Sequence, residues 1–203
     1  MTQTKLTLIR HGQTDWNMRG LWQGHAPIPL NTTGFAQAQG AAPHLQNAGI
    51  DRIMSSDLLR ATQTADAINA MLSLPISYDR RWREVDLGNW QGLTNGEIKE
   101  WDSDRRAAFS AADYLERQFP DGESTRQHIA RTAEAMNEAV RQHPGEHLLT
   151  VTHGGSVRCA VYYITGEAIH LSGNCSITRF TYDTDTDAWS VQGIAEDAGA
   201  VVW

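Results

Sequence analysis

A chain of 203 residues with 40% hydrophobic side chains can bury a substantial core, and its length suits a single unit over 1–203 with a modest insertion. The formal net charge of −7 and the pI of about 5.5 exclude a broad basic footprint for nucleic acid or anionic lipid. Any anion bound by this protein must be held by a local cluster of positive groups.

The opening MTQTKLTLIRHG has no basic region followed by a long apolar stretch, and no later segment approaches membrane-spanning length, so a cytoplasmic protein without a membrane partner is expected. Leu6 to Ile9 reads as a strand, and Thr32 to about Ala48 as a helix opened by a polar cap, in which Pro43 predicts a kink or an early end. Arg52 to Met54 reads as a second strand. Ser55, Ser56 and Asp57 then offer caps for a helix to about Leu72, and a short strand near Ile76 follows. After a loop rich in Trp and Gly, Asn95 to Phe119 is polar and amphipathic, a helical insertion over roughly 94–121 that ends at Pro120, Asp121 and Gly122. Glu123 to Arg141 is helical in composition, and Leu148 to Thr152 is an apolar, β-branched run of the kind found in buried strands. A helix from about Ser156 and a hairpin, Ile177 to Tyr182 with Trp189 to Gln192, complete the chain. This alternation predicts an α/β fold of three αβα layers around a mainly parallel sheet, with ligands at the carboxyl ends of the strands.

Three features fall at such ends: Arg10 and His11 after the first strand, Arg60 in the first turn of the second helix, and His153 after the late strand. Singly, each has a bland reading as a turn, core or surface residue. Together, two guanidinium groups and two imidazoles facing one point suit a tetrahedral dianion such as phosphate. Cys159 and Cys175 lack metal-ligand spacing and read as reduced, buried thiols. The eight histidines form no HExxH-like pair, so no metal or other cofactor is expected.

LIRHGQTDWN, from Leu8 to Asn17, resembles the signature of the histidine phosphatase superfamily, in its phosphoglycerate mutase-like branch. The likeness continues through Arg19, Gln23, Gly24, Pro29, Leu30, Gly34, Gln37 and Ala38. It extends over SSDLLRATQTA (55–65), WREVDLGNWQG (82–92), DGES (121–124) and VTHGGSVR (151–158). The resemblance implies that His11 is the nucleophile, that Arg10 and Arg60 bind phosphate, and that His153 is the second histidine of the phosphate pocket. Glu84 matches the acid/base of this branch. Asp86 lies close by, and an ion pair with an arginine is the plain alternative for Glu84. The acid-phosphatase branch carries its acid just after the second histidine, where this chain has Gly154 and Gly155, which favours Glu84. Asn17 and the Gly154 backbone match supporting phosphate contacts. Thr14, Gln23 and Gly24 line the entrance in relatives, or else only shape the loop.

The implied activity is hydrolysis of a small phosphorylated metabolite through a phosphohistidine, releasing phosphate. Phosphoglycerate mutase-type transfer is the nearest alternative, but the segment after Glu84 lacks the arginine-rich, RHYG-like run of the cofactor-dependent mutases. Lys99, Arg105 and Arg106 could bind a second anion, although a solvated helix face is the commoner reading of such residues. A non-catalytic phospho-ligand binder is a further alternative, and a homodimer is left open. Trp16, Trp22, Trp82 and Trp90 flank the motifs, where packing is the default and some could shape a leaving-group pocket.

Overall fold

Residues 3–170 and 173–197 are described by a computed structural model of the chain. The first half contains β1 (Gln3–Arg10), α1 (Asp15–Met18), α2 (Thr32–Gln46), β2 (Arg52–Ser55), α3 (Leu59–Leu72) and β3 (Ile76–Tyr78). Then follow α4 (Asn95–Trp101), α5 (Ser103–Ala111), α6 (Thr125–Gln142), β4 (His147–Thr152), α7 (Gly154–Thr165), β5 (Ile177–Asp183) and β6 (Ala188–Glu196).

The strands form one sheet in the order β3-β2-β4-β1-β5-β6. The first four are parallel and the last two run antiparallel, so the fold is a mainly parallel α/β sheet closed at one edge by a hairpin. Period-two alternation along the strands divides the core. Ile9, Ile53, Leu149 and Val151 face α2 and α3, meeting Ala38, Leu45, Ala61 and Ile68. Leu6, Leu8 and Leu148 face the opposite way, against Met136 and Val140 of α6 and Val157 and Ala160 of α7. These two apolar layers make the three-layer αβα sandwich. The strand registers align Arg10 with Thr152 and Ser55 with Val151, which brings the carboxyl ends of β1, β2 and β4 side by side.

Several boundaries differ from the sequence reading for physical reasons. The polar run before α3 does not cap it: Ser55 ends β2, Leu58 occupies the N-cap without a side-chain bond, and Asp57 pairs with Arg83. Helix α2 continues through Pro43 to Gln46, because Gln39, whose carbonyl loses its donor, and Pro43 itself are both exposed to water. Helix α6 begins at Thr125 under a Ser124–Gln127 capping box, while Glu123 pairs with Arg131. The insertion is two short helices and a 3-10 turn at Tyr114–Glu116, broken where Asp102 leaves the helical conformation and accepts a bond from Trp90 Nε1. Helix α7 starts at Gly154, two residues before the expected Ser156, and makes His153 its N-cap.

Candidate active site

The loop after β1 carries His11 to the sheet end, where it is 3% exposed. Its Nδ1 lies 2.7 Å from the Gly12 carbonyl. Since a carbonyl only accepts, Nδ1 holds the proton and Nε2 keeps its lone pair. Arg60 Nε donates toward that Nε2 at 3.2 Å, and the Arg60 terminal nitrogens donate to the Ala26 and Gly24 carbonyls at 3.1 and 2.8 Å. The Arg60 guanidinium is thus fully buried and fixed by two loop carbonyls. Burial, then Arg60 and Arg10, hold the His11 pKa well below the usual imidazole value, so the ring is neutral at neutral pH.

His153 is fully buried, with its ring centre 5.3 Å from that of His11. Its Nε2 lies 2.9 Å from Ser56 Oγ and its Nδ1 has no partner among the described residues. Burial and the neighbouring Arg60 lower its pKa well below the usual value. Here the serine expected to cap α3 instead orients a site histidine.

The Glu84 carboxylate accepts from the Gly155 N–H at 3.0 Å and from the Val85 N–H at 2.9 Å. Burial pushes its carboxyl up, but His128, Arg158 and the two backbone donors together outweigh it and leave the pKa below the ordinary carboxylate value. His128 itself falls to about 4, chiefly through burial, so at neutral pH Arg158 and the two amides sustain the Glu84 charge.

A cavity of about 670 Å³ opens over these groups, lined by Arg10, His11, Arg60 and Glu84 among others. Asn17, Gln23 and Gly24 also line it. The Asn17 oxygen accepts from Thr14 and from Asn174, which leaves its amide nitrogen as its donor. Thr14 does not reach the cavity and caps α1. His153 and Gly154 stand just behind the lining, where a Cβ on Gly154 would lie 3.6 Å from Arg10 Nε. Trp22 faces the cavity, whereas Trp82 and Trp90 are buried in the core. Both cysteines are free and buried, with Cys159 at the cavity wall and its thiol pushed up to about 12 by burial.

The sequence reading missed His128, Arg158, Tyr114 and Arg117, all of which line the cavity. Arg158 alone carried a signal, lying one helical turn after Gly154 within VTHGGSVR. Lys99 and Arg105 are solvent-exposed, in keeping with a solvated face, whereas Arg106 turns inward and lines the cavity. Among the described residues no cluster of three or more His, Cys, Asp or Glu is arranged to hold a metal, and no helix is long and apolar enough to cross a membrane.

A buried neutral imidazole flanked by fixed guanidinium groups, at the strand ends of a doubly covered sheet, is the site of a protein that handles phosphoryl groups. The chain belongs to the histidine phosphatase superfamily (branch 1), whose profile matches residues 6–196. It is 34% identical over 206 residues to the probable phosphoglycerate mutase GpmB of Escherichia coli O1:K1, covering 96% of this chain and 92% of that protein. It is also 34% identical to the phosphoglycerate mutase-like protein 4 of Arabidopsis thaliana, covering 93% and 83% of the two chains. Among solved structures, a mycobacterial glucosyl-3-phosphoglycerate phosphatase in complex with VO3 superposes with a TM-score of 0.85 at 29% identity, covering 95% of this chain and 99% of that one. Its chemistry therefore lies among phosphoryl-transfer reactions.

Proposed function

We propose that this protein is a phosphatase that hydrolyses a small phosphate monoester through a phosphohistidine on His11. The observation that carries this reading is the His11 bond to the Gly12 carbonyl at 2.7 Å, which commits Nδ1 to donation and leaves Nε2 unprotonated, its lone pair directed at Arg60. Arg10 and Arg60 hold the phosphoryl oxygens, with Asn17 and the Gly154 backbone in support. His153, oriented by Ser56, completes the pocket. Nε2 attacks phosphorus in line, forming the N–P bond as the P–O bond to the leaving group breaks. The two preplaced arginines stabilise the charge that spreads over the equatorial oxygens.

The leaving alkoxide takes its proton from Glu84. In the unliganded site this carboxyl is ionised, and the negative charge of an arriving phosphate raises its pKa toward the protonated form the step requires. Once ionised again, Glu84 removes a proton from the water that attacks the phosphohistidine. The N–P bond breaks as the water oxygen bonds to phosphorus, inorganic phosphate leaves, and Glu84 gives the proton it took from water to solvent as its pKa falls again, which restores neutral His11 and ionised Glu84. The guanidinium groups of Arg10 and Arg60 supply the positive charge, so no metal enters this scheme.

Phosphate release from p-nitrophenyl phosphate tests the reading. Wild-type protein should turn over, His11→Ala should not, and vanadate should inhibit by taking the five-coordinate geometry of the transition state. Binding without turnover in the wild type would identify a phospho-ligand binder. The names of the sequence relatives favour a second reading, phosphoglycerate mutase-type transfer. Isomerisation of 3-phosphoglycerate dependent on 2,3-bisphosphoglycerate, without net phosphate release, would establish that reading instead.

A further inference from the structure

Glu84 lies on a stretch without regular structure, between a 3-10 turn at Arg80–Trp82 and another at Gly88–Trp90. No ladder of strand or helix bonds fixes its backbone, so the polar groups of that backbone must be met by other parts of the chain. Four successive carbonyls, those of Arg81, Trp82, Arg83 and Glu84, each accept from a side chain of another element. Thr152 of β4 holds the Trp82 carbonyl at 2.8 Å, and Arg131 of α6 holds the other three. Arg131 Nη1 donates to the Arg81 and Arg83 carbonyls at 2.8 Å each, and Nη2 donates to the Glu84 carbonyl at 3.1 Å.

The two remaining N–H groups of this guanidinium, on Nε and Nη2, donate to the two Glu123 carboxylate oxygens at 2.8 and 2.7 Å. All of its donors are thereby engaged, most of them on the segment that ends at Glu84. Glu123 reaches past that residue: its N–H donates to the Asp86 carbonyl at 2.9 Å, and its Oε2 accepts from the Asp86 N–H at 3.4 Å. The pair grips main chain on both sides of Glu84, yet among the described residues neither member lines the cavity. Ser156 Oγ and His25 Nε2 share the Arg83 and Glu84 carbonyls, both at 2.8 Å, so a weaker side chain at position 131 would loosen this segment without releasing it. A general acid must come within about 2.6–3.2 Å of the oxygen it protonates, and a displacement of about 1 Å can cost about 10²-fold. The Gly155 amide fixes the carboxylate end of Glu84, and Arg131 fixes its main-chain end.

We propose that Arg131, locked by Glu123, is a positioning residue for proton delivery: it sets the main chain of residues 81–84 so that the Glu84 carboxyl meets the leaving oxygen, while itself touching neither substrate nor reacting atoms. The assignment rests on the phosphatase reading, in which Glu84 is the acid. Lysine cannot take the place of this arginine, because an ammonium has three donors and no planar fork.

Single-turnover rates of the phosphorylation step test the assignment on two esters, with folding of each variant checked by its melting curve. Glycerol 3-phosphate has a leaving alkoxide that needs the proton, and p-nitrophenyl phosphate has a leaving group that departs as a stable anion. In Arg131→Lys the ratio of the first rate to the second should fall by about tenfold or more. In a Glu84→Gln background the same substitution should leave that ratio within about twofold, because no proton remains to be aimed. Glu123→Gln removes the charge that locks the fork and should shift the ratio in the same direction by less. Equal losses on both esters in Arg131→Lys while Glu84→Gln still separates them, or a ratio that keeps falling in the Glu84→Gln background, would make the pair a structural tie and overturn the proposal. Should Arg131→Lys not fold, an unchanged ratio in Glu123→Gln overturns it. If Glu84→Gln itself does not separate the esters, or the wild type hydrolyses neither, it is the acid assignment or the phosphatase reading that has failed, and the positioning role falls with it.

Discussion

Glu84 is held by two backbone donors, the N–H groups of Gly155 and Val85, so its position does not depend on its protonation partner alone. Glu84→Gln keeps the size of the side chain but removes the transferable proton and replaces one of the two accepting oxygens by an NH2 group. For an alkyl phosphate, whose leaving group needs that proton, kcat should fall by about 10²–10⁴-fold. For p-nitrophenyl phosphate, whose leaving group departs as a stable anion, the loss in the phosphorylation step should be far smaller. Equal losses on both esters, read by single-turnover kinetics, would remove Glu84 from the acid role. At this scale Arg10, His11, Arg60 and His153 were legible because each follows a strand or opens a helix at a recognisable punctuation. Ser56 was legible only in the wrong role: a serine before a helix reads as a cap, and nothing local reveals the imidazole 97 residues away that it meets at 2.9 Å. Arg117 was hidden, and Arg106 was not told apart from its solvated neighbours Lys99 and Arg105, for a related reason: the break at Asp102 decides which face of the insertion turns inward.

Between elements, one tight joint near the site is where the loop after β1 meets the first turn of α2. A Cβ on Gly34 would lie 2.1 Å from the Gln13 carbonyl oxygen, and one on Gly12 would lie 2.5 Å from the Gly34 carbonyl oxygen. Both obstacles are backbone, so neither can yield by a side-chain rotation. The same loop supplies the Gly12 carbonyl that sets the His11 tautomer. Gly34→Ala should therefore push α2 and the loop apart, costing roughly 1–3 kcal/mol of stability, typical of overpacking. In a domain of this size that is a melting-temperature drop of about 2–4 °C per kcal/mol. Turnover of p-nitrophenyl phosphate should fall more steeply than stability, because the shift reaches Nε2 of His11, the proposed nucleophile. A variant with wild-type melting and turnover would show that the joint is slack. The elements themselves were readable from period and punctuation, and the sheet's parallel core followed from their alternation. Their ends were less so, because Ser55 and Asp57 took up a strand and an ion pair in place of the capping role their residue types suggest, and Glu123, read as the start of α6, pairs with Arg131 ahead of the Ser124 cap.

For the molecule as a whole, the way it buries histidine determines how it responds to acid. His11, His128 and His153 sit at the candidate site, and His147 opens strand β4, with its Nδ1 donating to the Ala48 carbonyl. Burial is the largest influence on all four and lowers the pKa of each, to about 4 for His128 and His147. In the unfolded chain the same rings titrate near 6.5. Below that pH the unfolded state binds protons that the folded state refuses, so stability is fully present above about pH 6.5 and declines as the pH falls. Each ring that charges only on unfolding contributes a slope approaching about 1.4 kcal/mol per pH unit. The lowered carboxylates, Glu84 and Glu123, act in a different window, stabilising above the normal carboxylate range and losing that effect only at lower pH. The interval from pH 7 to pH 5 therefore isolates the histidines. Melting temperature should be nearly level from pH 8 to 7 and then drop by at least about 5 °C by pH 5, well before general acid denaturation. A melting temperature unchanged down to pH 5 would mean that these rings already carry their protons in the folded protein, and with them a protonated, unreactive His11.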